Sequence, residues 1–374
     1  MTHDVLTFIG RFQPFHNGHK AVVDEALTKA EKVALVIGSD QQPRYARNPW
    51  TTQERIDMIT AVYPDEVASG RLHFCPQVDH TYNLDRWIGG IQSSAVTVAQ
   101  KTHNMGIIGH SKDASSFYLK AFPTWENIEA ANVEGINATD IRKDYLENED
   151  WQTRWSEKLP EEVLHWLEDW QDSTGFEQVA QEHALLKKYK KQFIRPSDKE
   201  IRKFAVNNGM ADYISADVKM LNDFADAYCP KYPPVFYTAD AVVVQAGHIL
   251  LVKRGGFPGQ GLWALPGGFV NETEDSRVAA IRELREETRL AVPQPVLNGS
   301  ITESREFSDP YRSQRGRTVT MAYKFELSDN NGGGLPKVKG ADDAVKAVWV
   351  PISELRRDKM FEDHYDIIEC MVGL

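Results

Sequence analysis

Cysteine is scarce: Cys75, Cys229 and Cys370 are the three in 374 residues, far apart and without a C-x-x-C pair. That spacing excludes a disulfide framework and points to a reducing compartment, so a cytoplasmic setting is expected. Apolar runs of about 18 residues are missing too, which leaves no segment that reads as a membrane-spanning helix. The opening MTHDVLTFIG lacks the basic start and long apolar core of a secretory leader. Positive charge is in deficit, with 43 Lys and Arg against 54 Asp and Glu and a formal charge of -11. This balance argues against a general nucleic-acid or membrane-surface binder, although local arginine clusters can still hold anionic ligands. Internal repeats are absent, and the length exceeds what one small core needs. Two domains are therefore expected, with self-association left open.

What is present falls into two patterned halves. VLTFIG (5–10) is a short β-rich run, followed by a loop bearing glycine and proline, a helical GHKAVVDEALTKA and a second strand, KVALVIGSD. This βαβ opening predicts a parallel sheet with ligands at the carboxyl ends of its strands. Residues 1–185 are taken as the first domain. Residues 186–234, ending in the proline- and aromatic-rich YCPKYPPVFY, are taken as a partly helical connector, and 235–374 as the second domain. The second domain opens with ADAVVVQAGHILLVKR, a hairpin with QAGH at its turn.

Past Gly268 the chain reads GFVNETEDSRVAAIRELREETRL. Asn271 and Glu274 have the spacing of a capping box. At 100° per residue, Val278, Ile281 and Leu284 share one stripe, while Glu283, Glu286 and Glu287 cluster roughly opposite. Like charges at this spacing repel unless compensated. Two readings stand: an exposed helix laced with ion pairs through Arg282 and Arg285, or a site for a hard divalent cation, which prefers oxygen ligands.

Five residues separate Gly268 from Glu274, and seven more lead to Arg282-Glu283-Leu284-Arg285-Glu286-Glu287, an arrangement similar to the Nudix box. The resemblance implies an αβα sandwich with a mixed sheet that hydrolyses nucleoside diphosphates linked to another group. By position, Glu283, Glu286 and Glu287 resemble its Mg2+ ligands, with Mn2+ as the alternative ion, and Glu274 is ancillary. Arg289 departs from the pattern, which has glycine there. A helix-ending glycine tolerates a left-handed conformation that costs other residues roughly 1–2 kcal/mol, so either stability bears that cost or the helix exits differently. The following SREFSDPYRSQRGRTVTMAY gathers Arg305, Arg312, Arg315 and Arg317, and guanidinium groups pair with phosphate oxygens. DPYRSQRGRTVTMAY with GADDAVKAVWV resembles the ADP-ribose pyrophosphatase branch, implying cleavage of ADP-ribose to AMP and ribose 5-phosphate. Arg312, Arg315 and Arg317 would bind substrate, and Glu283, Glu303 or Glu306 would take the proton.

In the first half, GRFQPFHNGHK places His16 and His19 three apart at the mouth of a helix whose dipole favours anions. A zinc pair is a competing reading, but it lacks a clear third ligand. The segment resembles the nucleotidyltransferase signature, which implies a Rossmann-like domain. ARNPWTTQERIDMI (46–59), GHSKD (109–113) and INATDIR (136–142) are similar to motifs of archaeal-type nicotinamide mononucleotide (NMN) adenylyltransferases. The resemblance implies attack of the NMN phosphate on ATP, giving NAD and pyrophosphate. His16 and His19 would stabilise the transferring phosphate. Gly10, Arg11, Phe12, Arg47, Gly109, Thr139 and Arg142 would contact substrate, and Trp87 would face the nicotinamide. Asn137 and Ala138 stand where that family commonly has serines.

Both likenesses together, in this order, resemble two-domain proteins of NAD metabolism that join an NMN adenylyltransferase to a Nudix hydrolase. ATP, NMN, NAD and ADP-ribose are the expected small-molecule partners, with neither nucleic acid nor membrane. Two alternatives stay open: a Nudix half that senses nucleotides or mediates interaction, and one acting on another nucleoside diphosphate derivative.

Overall fold

The computed structural model describes residues 2–100, 104–110, 118–130, 136–191, 234–328, 334–342 and 344–374. The chain divides into two compact units, Met1–His183 with Arg357–Lys359, and Ala184–Arg356 with Met360–Leu374. Most of the connector expected over 186–234 lies outside the described residues, and its first residues, to Lys191, continue a helix.

The first unit alternates β1 (His3–Gly10), α1 (Asn17–Lys29), β2 (Ala30–Ile37), α2 (Thr52–Val62), α3 (Pro64–Ala68), β3 (Leu72–Pro76), α4 (Leu84–Ala99), β4 (Met105–Gly109), β5 (Glu126–Glu129) and α5 (Ala138–Glu147). Helices α6 (Trp151–Trp155), α7 (Glu161–Trp170) and α8 (Thr174–Lys191) follow. The five strands are parallel and ordered β3-β2-β1-β4-β5, as the βαβ opening predicts. Strand β1 is apolar almost throughout because both its faces are covered. Leu6 and Phe8 pack toward the α1, α2, α5 and α7 side, and Val5 and Ile9 toward α4. Strand order reverses between β1 and β4, so the crevice for ligands opens at the carboxyl ends of these two strands.

The second unit contains β6 (Phe236–Gln245), β7 (His248–Arg254), β8 (Trp263–Ala264), β9 (Gly267–Phe269), α9 (Ser276–Thr288), α10 (Gln294–Gly299), β10 (Ile301–Phe307), β11 (Thr318–Glu326), β12 (Ala344–Pro351) and α11 (His364–Val372). Its sheet is mixed, ordered β10-β11-β6-β7-β12, with β8 on β7 and β9 on β6. Strands β6 and β11 run parallel, and the other pairs are antiparallel. The β6–β7 hairpin turns at Ala246 and Gly247, both with positive φ (47° and 73°), the twist that suits a two-residue connection. Helix α9 lays Ile281 and Leu284 on Ala241, Val243, Leu250 and Phe325.

Two local readings of α9 differ from the sequence expectation. The N-cap is Asp275, whose side chain accepts from Val278 N–H at 2.9 Å; Asn271 and Glu274 instead close a turn ahead of the helix. Val278 is 47% exposed rather than part of the apolar stripe, because the small Ala279 and Ala280 make the close approach to Ala239 in that first turn. Among the described residues, no helix is long and apolar enough to cross a membrane.

Candidate functional site

In the first unit, Gly10 ends β1 and Gly109 ends β4, so both sit at the crevice. A Cβ on Gly10 would lie 2.7 Å from the ring of Phe12, whose left-handed backbone (φ 51°) folds it back over the strand end. His16 is the N-cap of α1, accepting from His19 N–H at 3.4 Å. The two imidazoles stack with centroids 3.7 Å apart. Phe12 meets His19 edge-on at 4.9 Å and Phe15 stacks on it at 5.7 Å, so aromatic packing fixes the pair at the helix mouth.

Arg142 rises from α5 and is buried, donating to Gln13 O and, at 3.2 Å, to Thr139 Oγ1. Burial, then the nearby charges of Arg11 and Arg47, draw its pKa down to about 9. Arg11 is lowered by burial and then by Arg47, with Asp79 and Tyr45 offsetting part of this. The three arginines named from sequence thus crowd one another, and an anion between them would relieve that repulsion. Asn137 caps α5, its Oδ1 accepting Thr139 N–H at 2.9 Å, so the departure from serine supplies a helix cap.

Arg55, which the motif reading passed over, is 1% exposed and braces the crevice. It donates to Arg11 O at 2.7 Å, Gly38 O at 2.6 Å and Ser39 O at 3.3 Å, tying the ends of β1 and β2 together. Trp87 stands half-buried in the first turn of α4, edge-on to Tyr118 at 6.5 Å. Positions 111–113 of GHSKD lie outside the described residues.

In the second unit a cleft is lined by β6, β7, the β8–β9 segment, α9, the arginine-rich loop and the start of α11. Glu287, Gly267, Gly268, Arg312 and Arg315 all line it. Gly267 N–H donates to Glu287 Oε2 at 3.0 Å, and a Cβ on Gly268 would collide with the Glu283 carboxylate. Both carboxylates are therefore held against the glycine strand, whereas Glu286 is 47% exposed. Arg282 fastens the acidic face: it donates to Glu274 at 2.7 Å, Glu283 at 2.7 Å, Glu286 at 2.9 Å and Phe269 O at 3.0 Å. The bonds from Arg282, followed by the one from Asn271 N–H, hold the Glu274 carboxyl down at about 2.

Among the described residues, no group of three acidic, His or Cys side chains closes into a metal cage. Magnesium does not require one, since it takes one or two carboxylates plus water and phosphate oxygens. The all-oxygen donors of Glu283, Glu286 and Glu287, with the close backbone approach at Gly268, fit a hard divalent ion.

The arginines of the loop differ in what they hold. Arg312 is buried and pairs with Asp363 through two bonds of 2.9 Å. Arg315 lies near the rings of Phe269 (5.4 Å) and Phe361 (5.9 Å). Arg317 instead clamps its own loop through Ser308 O at 2.6 Å and, like Arg305, is not among the cleft-lining residues. Glu303 and Glu306 are exposed on β10, away from the cleft lining. Glu362 is the loop carboxylate that does line it, at a left-handed φ of 44°, accepting from Ser313 Oγ at 3.0 Å and Gln314 N–H at 2.8 Å. Burial raises its pKa. Asp240, Arg254 and His364 complete the polar lining. Sequence reading missed these four because they come from distant segments and belong to no local spacing pattern.

Residues 7–144 match the Cytidylyltransferase-like family and residues 236–370 the NUDIX domain. The nicotinamide/nicotinic acid mononucleotide adenylyltransferase of Acinetobacter baylyi is 35% identical over 181 residues, covering 48% of this chain and 93% of that protein. The nicotinamide-nucleotide adenylyltransferase of Sulfurisphaera tokodaii is 33% identical over 164 residues, 43% of this chain and 89% of that protein. Over its whole length the chain is similar to a bifunctional NMN adenylyltransferase/ADP ribose pyrophosphatase from Francisella tularensis, solved with AMP and a manganese ion. The TM-score is 0.79, with 28% identity and 99% of each chain covered. The chain belongs, through its first half, to the nicotinamide-nucleotide adenylyltransferase family, and it carries a NUDIX domain in its second.

Proposed function

We propose that the protein is a bifunctional enzyme of NAD metabolism. Its first half transfers the adenylyl group of ATP to NMN, giving NAD and pyrophosphate, and its second half hydrolyses ADP-ribose to AMP and ribose 5-phosphate. The observation that carries this reading is the full-length likeness to a protein described as having both activities.

In the transferase half, phosphoryl chemistry needs positioning and charge neutralisation more than a protein nucleophile. His16 and His19 stabilise the transferring phosphate at the mouth of α1, while Arg11, Arg47 and Arg142 neutralise the triphosphate. Gly10, Phe12, Gly109 and Thr139 shape the crevice, and Trp87 faces the nicotinamide ring. In the hydrolase half, Arg312 and Arg315 hold the pyrophosphate of the substrate, and Glu283, Glu286 and Glu287 supply carboxylate ligands for Mg2+. A bound divalent ion polarises phosphate oxygens and lowers the pKa of water. Glu362, already raised toward neutrality by burial, is the better placed proton acceptor than Glu303 or Glu306. Residues 1–185 and 235–374 carry the two activities, in a cytoplasmic setting.

Product analysis of the full-length protein tests the reading. NMN plus ATP with Mg2+ should yield NAD and pyrophosphate, and ADP-ribose with Mg2+ should yield AMP and ribose 5-phosphate. Failure with both NMN and nicotinate mononucleotide would sink the transferase assignment. Absence of AMP release with either Mg2+ or Mn2+ would sink the ADP-ribose assignment and leave a ligand-sensing NUDIX domain or one acting on another nucleoside diphosphate derivative.

A further inference from the structure

The hydrolase cleft holds a histidine that no metal or proton-transfer role uses. His364 is the first residue of α11, 7% exposed and part of the cleft lining. Its Nδ1 accepts the backbone N–H of Leu265 at 2.9 Å. A nitrogen that accepts from an amide carries no proton, so the proton of the neutral ring sits on Nε2. The ring packs edge-on to Phe361 at 5.4 Å, which fixes its plane.

The surroundings oppose an imidazolium. Arg254 comes from the end of β7, Arg312 and Arg315 from the loop before β11, and all three line the same cleft. The acidic groups nearby are engaged: Asp363 with Arg312, Asp240 with Thr320 Oγ1, Glu287 with Gly267 N–H, and Glu362 with Gln314 N–H. Burial, followed by Arg312, Arg254 and Arg315, holds the imidazole well below its ordinary value. The ring is therefore uncharged at neutral pH with its tautomer set by the backbone.

We propose that His364 is a substrate-binding residue of the second unit, presenting Nε2–H as a fixed, uncharged hydrogen-bond donor to an oxygen of a bound nucleoside diphosphate. A neutral donor adds direction to a cleft already rich in guanidinium charge without increasing their mutual repulsion. Leu265 lies two residues before Gly267, so the same hydrogen bond couples the ring to the strand that meets Glu283 and Glu287. The proposal rests on the hydrolase reading for its substrate class.

His364→Asn separates the two contacts, since the Asn carbonyl can accept from Leu265 N–H but no donor remains at the Nε2 position. In the full-length protein, KM for ADP-ribose should rise about tenfold, the loss of one hydrogen bond, while kcat changes by less than about threefold. A purely structural role would be restored by Asn, and an unchanged KM overturns the proposal. Nitrogen-15 NMR of the histidine-labelled wild-type protein supplies a readout independent of turnover and of how the variant folds. The His364 signals should show the Nε2–H tautomer unchanged between pH 6.5 and 8, and the Nε2–H resonance should move on addition of AMP. A titrating ring, an Nδ1–H tautomer or no response to AMP overturns it. Should the wild-type protein release no AMP from ADP-ribose, the hydrolase reading falls and the NMR result still decides the role of His364.

Discussion

Arg289 ends α9 with φ 45° and ψ 36°, its N–H bonded to Arg285 O at 3.0 Å. The helix thus keeps the left-handed exit that glycine would take freely, and a side chain bears the conformational cost. Arg289→Gly should stabilise the second unit by about 1 kcal/mol, raising its melting temperature by roughly 2–4 °C. Thermal unfolding of the two proteins checks this, and an unchanged or lower midpoint would mean that the Arg289 side chain makes a compensating interaction. In the first unit, the lowered value of Arg142, about 9, has its own consequence. A cation is charged below its pKa and loses the charge above it. Phosphate binding through Arg142 should be flat from pH 7 to 8 and weaken as pH passes about 9. Steady-state KM for ATP measured to pH 10 should rise accordingly; a flat profile would mean that the guanidinium keeps its charge despite burial. Both predictions start from residues that the sequence had singled out, with the structure supplying the conformation or the neighbours that give the effect its sign.

At the scale of the element, α9 shows what spacing can and cannot convey. The three glutamates, the buried Ile281 and Leu284 and the interruption at Arg289 follow from periodicity and motif position. The β6–β7 hairpin and the parallel order of the first sheet follow in the same way, because alternation, turn residues and βαβ handedness are local signals. Val278 and the capping box misled because the exact start of a helix depends on which side chain reaches its first N–H groups, and Asp275 wins that competition. Asp240, Arg254, Glu362 and His364 were illegible because only the sheet brings their segments together. Arg282 was legible as a compensating charge but not as a hub bonded to three carboxylates. Such partly exposed pairs contribute modestly, so Arg282→Gln should lower stability without metal by about 1–2 kcal/mol. Released from Arg282, Glu283 and Glu286 would repel each other and favour a divalent ion more strongly. The rise in melting temperature on adding Mg2+ should therefore be larger in Arg282→Gln than in the wild-type protein. A smaller rise would mean that Arg282 orients the glutamates for the metal rather than competing with it.

For the whole molecule, the decisive point is that the groups proposed for each activity fall within a single unit. His16, His19, Arg11 and Arg142 all belong to Met1–His183, while Glu283, Glu287, Arg312 and Glu362 all belong to the second unit. The proposed product of the first half, NAD, is not the proposed substrate of the second, so the chemistry requires no transfer between them. The activities should then separate by mutation. His19→Ala removes a group proposed to stabilise the transferring phosphate, so NAD formation should fall on the order of 100-fold or more, with AMP release from ADP-ribose within about twofold of wild type. Glu287→Gln removes the charge of a proposed metal ligand while keeping an oxygen that can accept Gly267 N–H, so the glycine strand should stay in place. AMP release should fall on the order of 100-fold or more, with NAD formation within about twofold. Parallel assays of both products on both variants check the pattern. Loss of both activities in either variant, with the fold intact by circular dichroism, would mean that the two units depend on each other for catalysis.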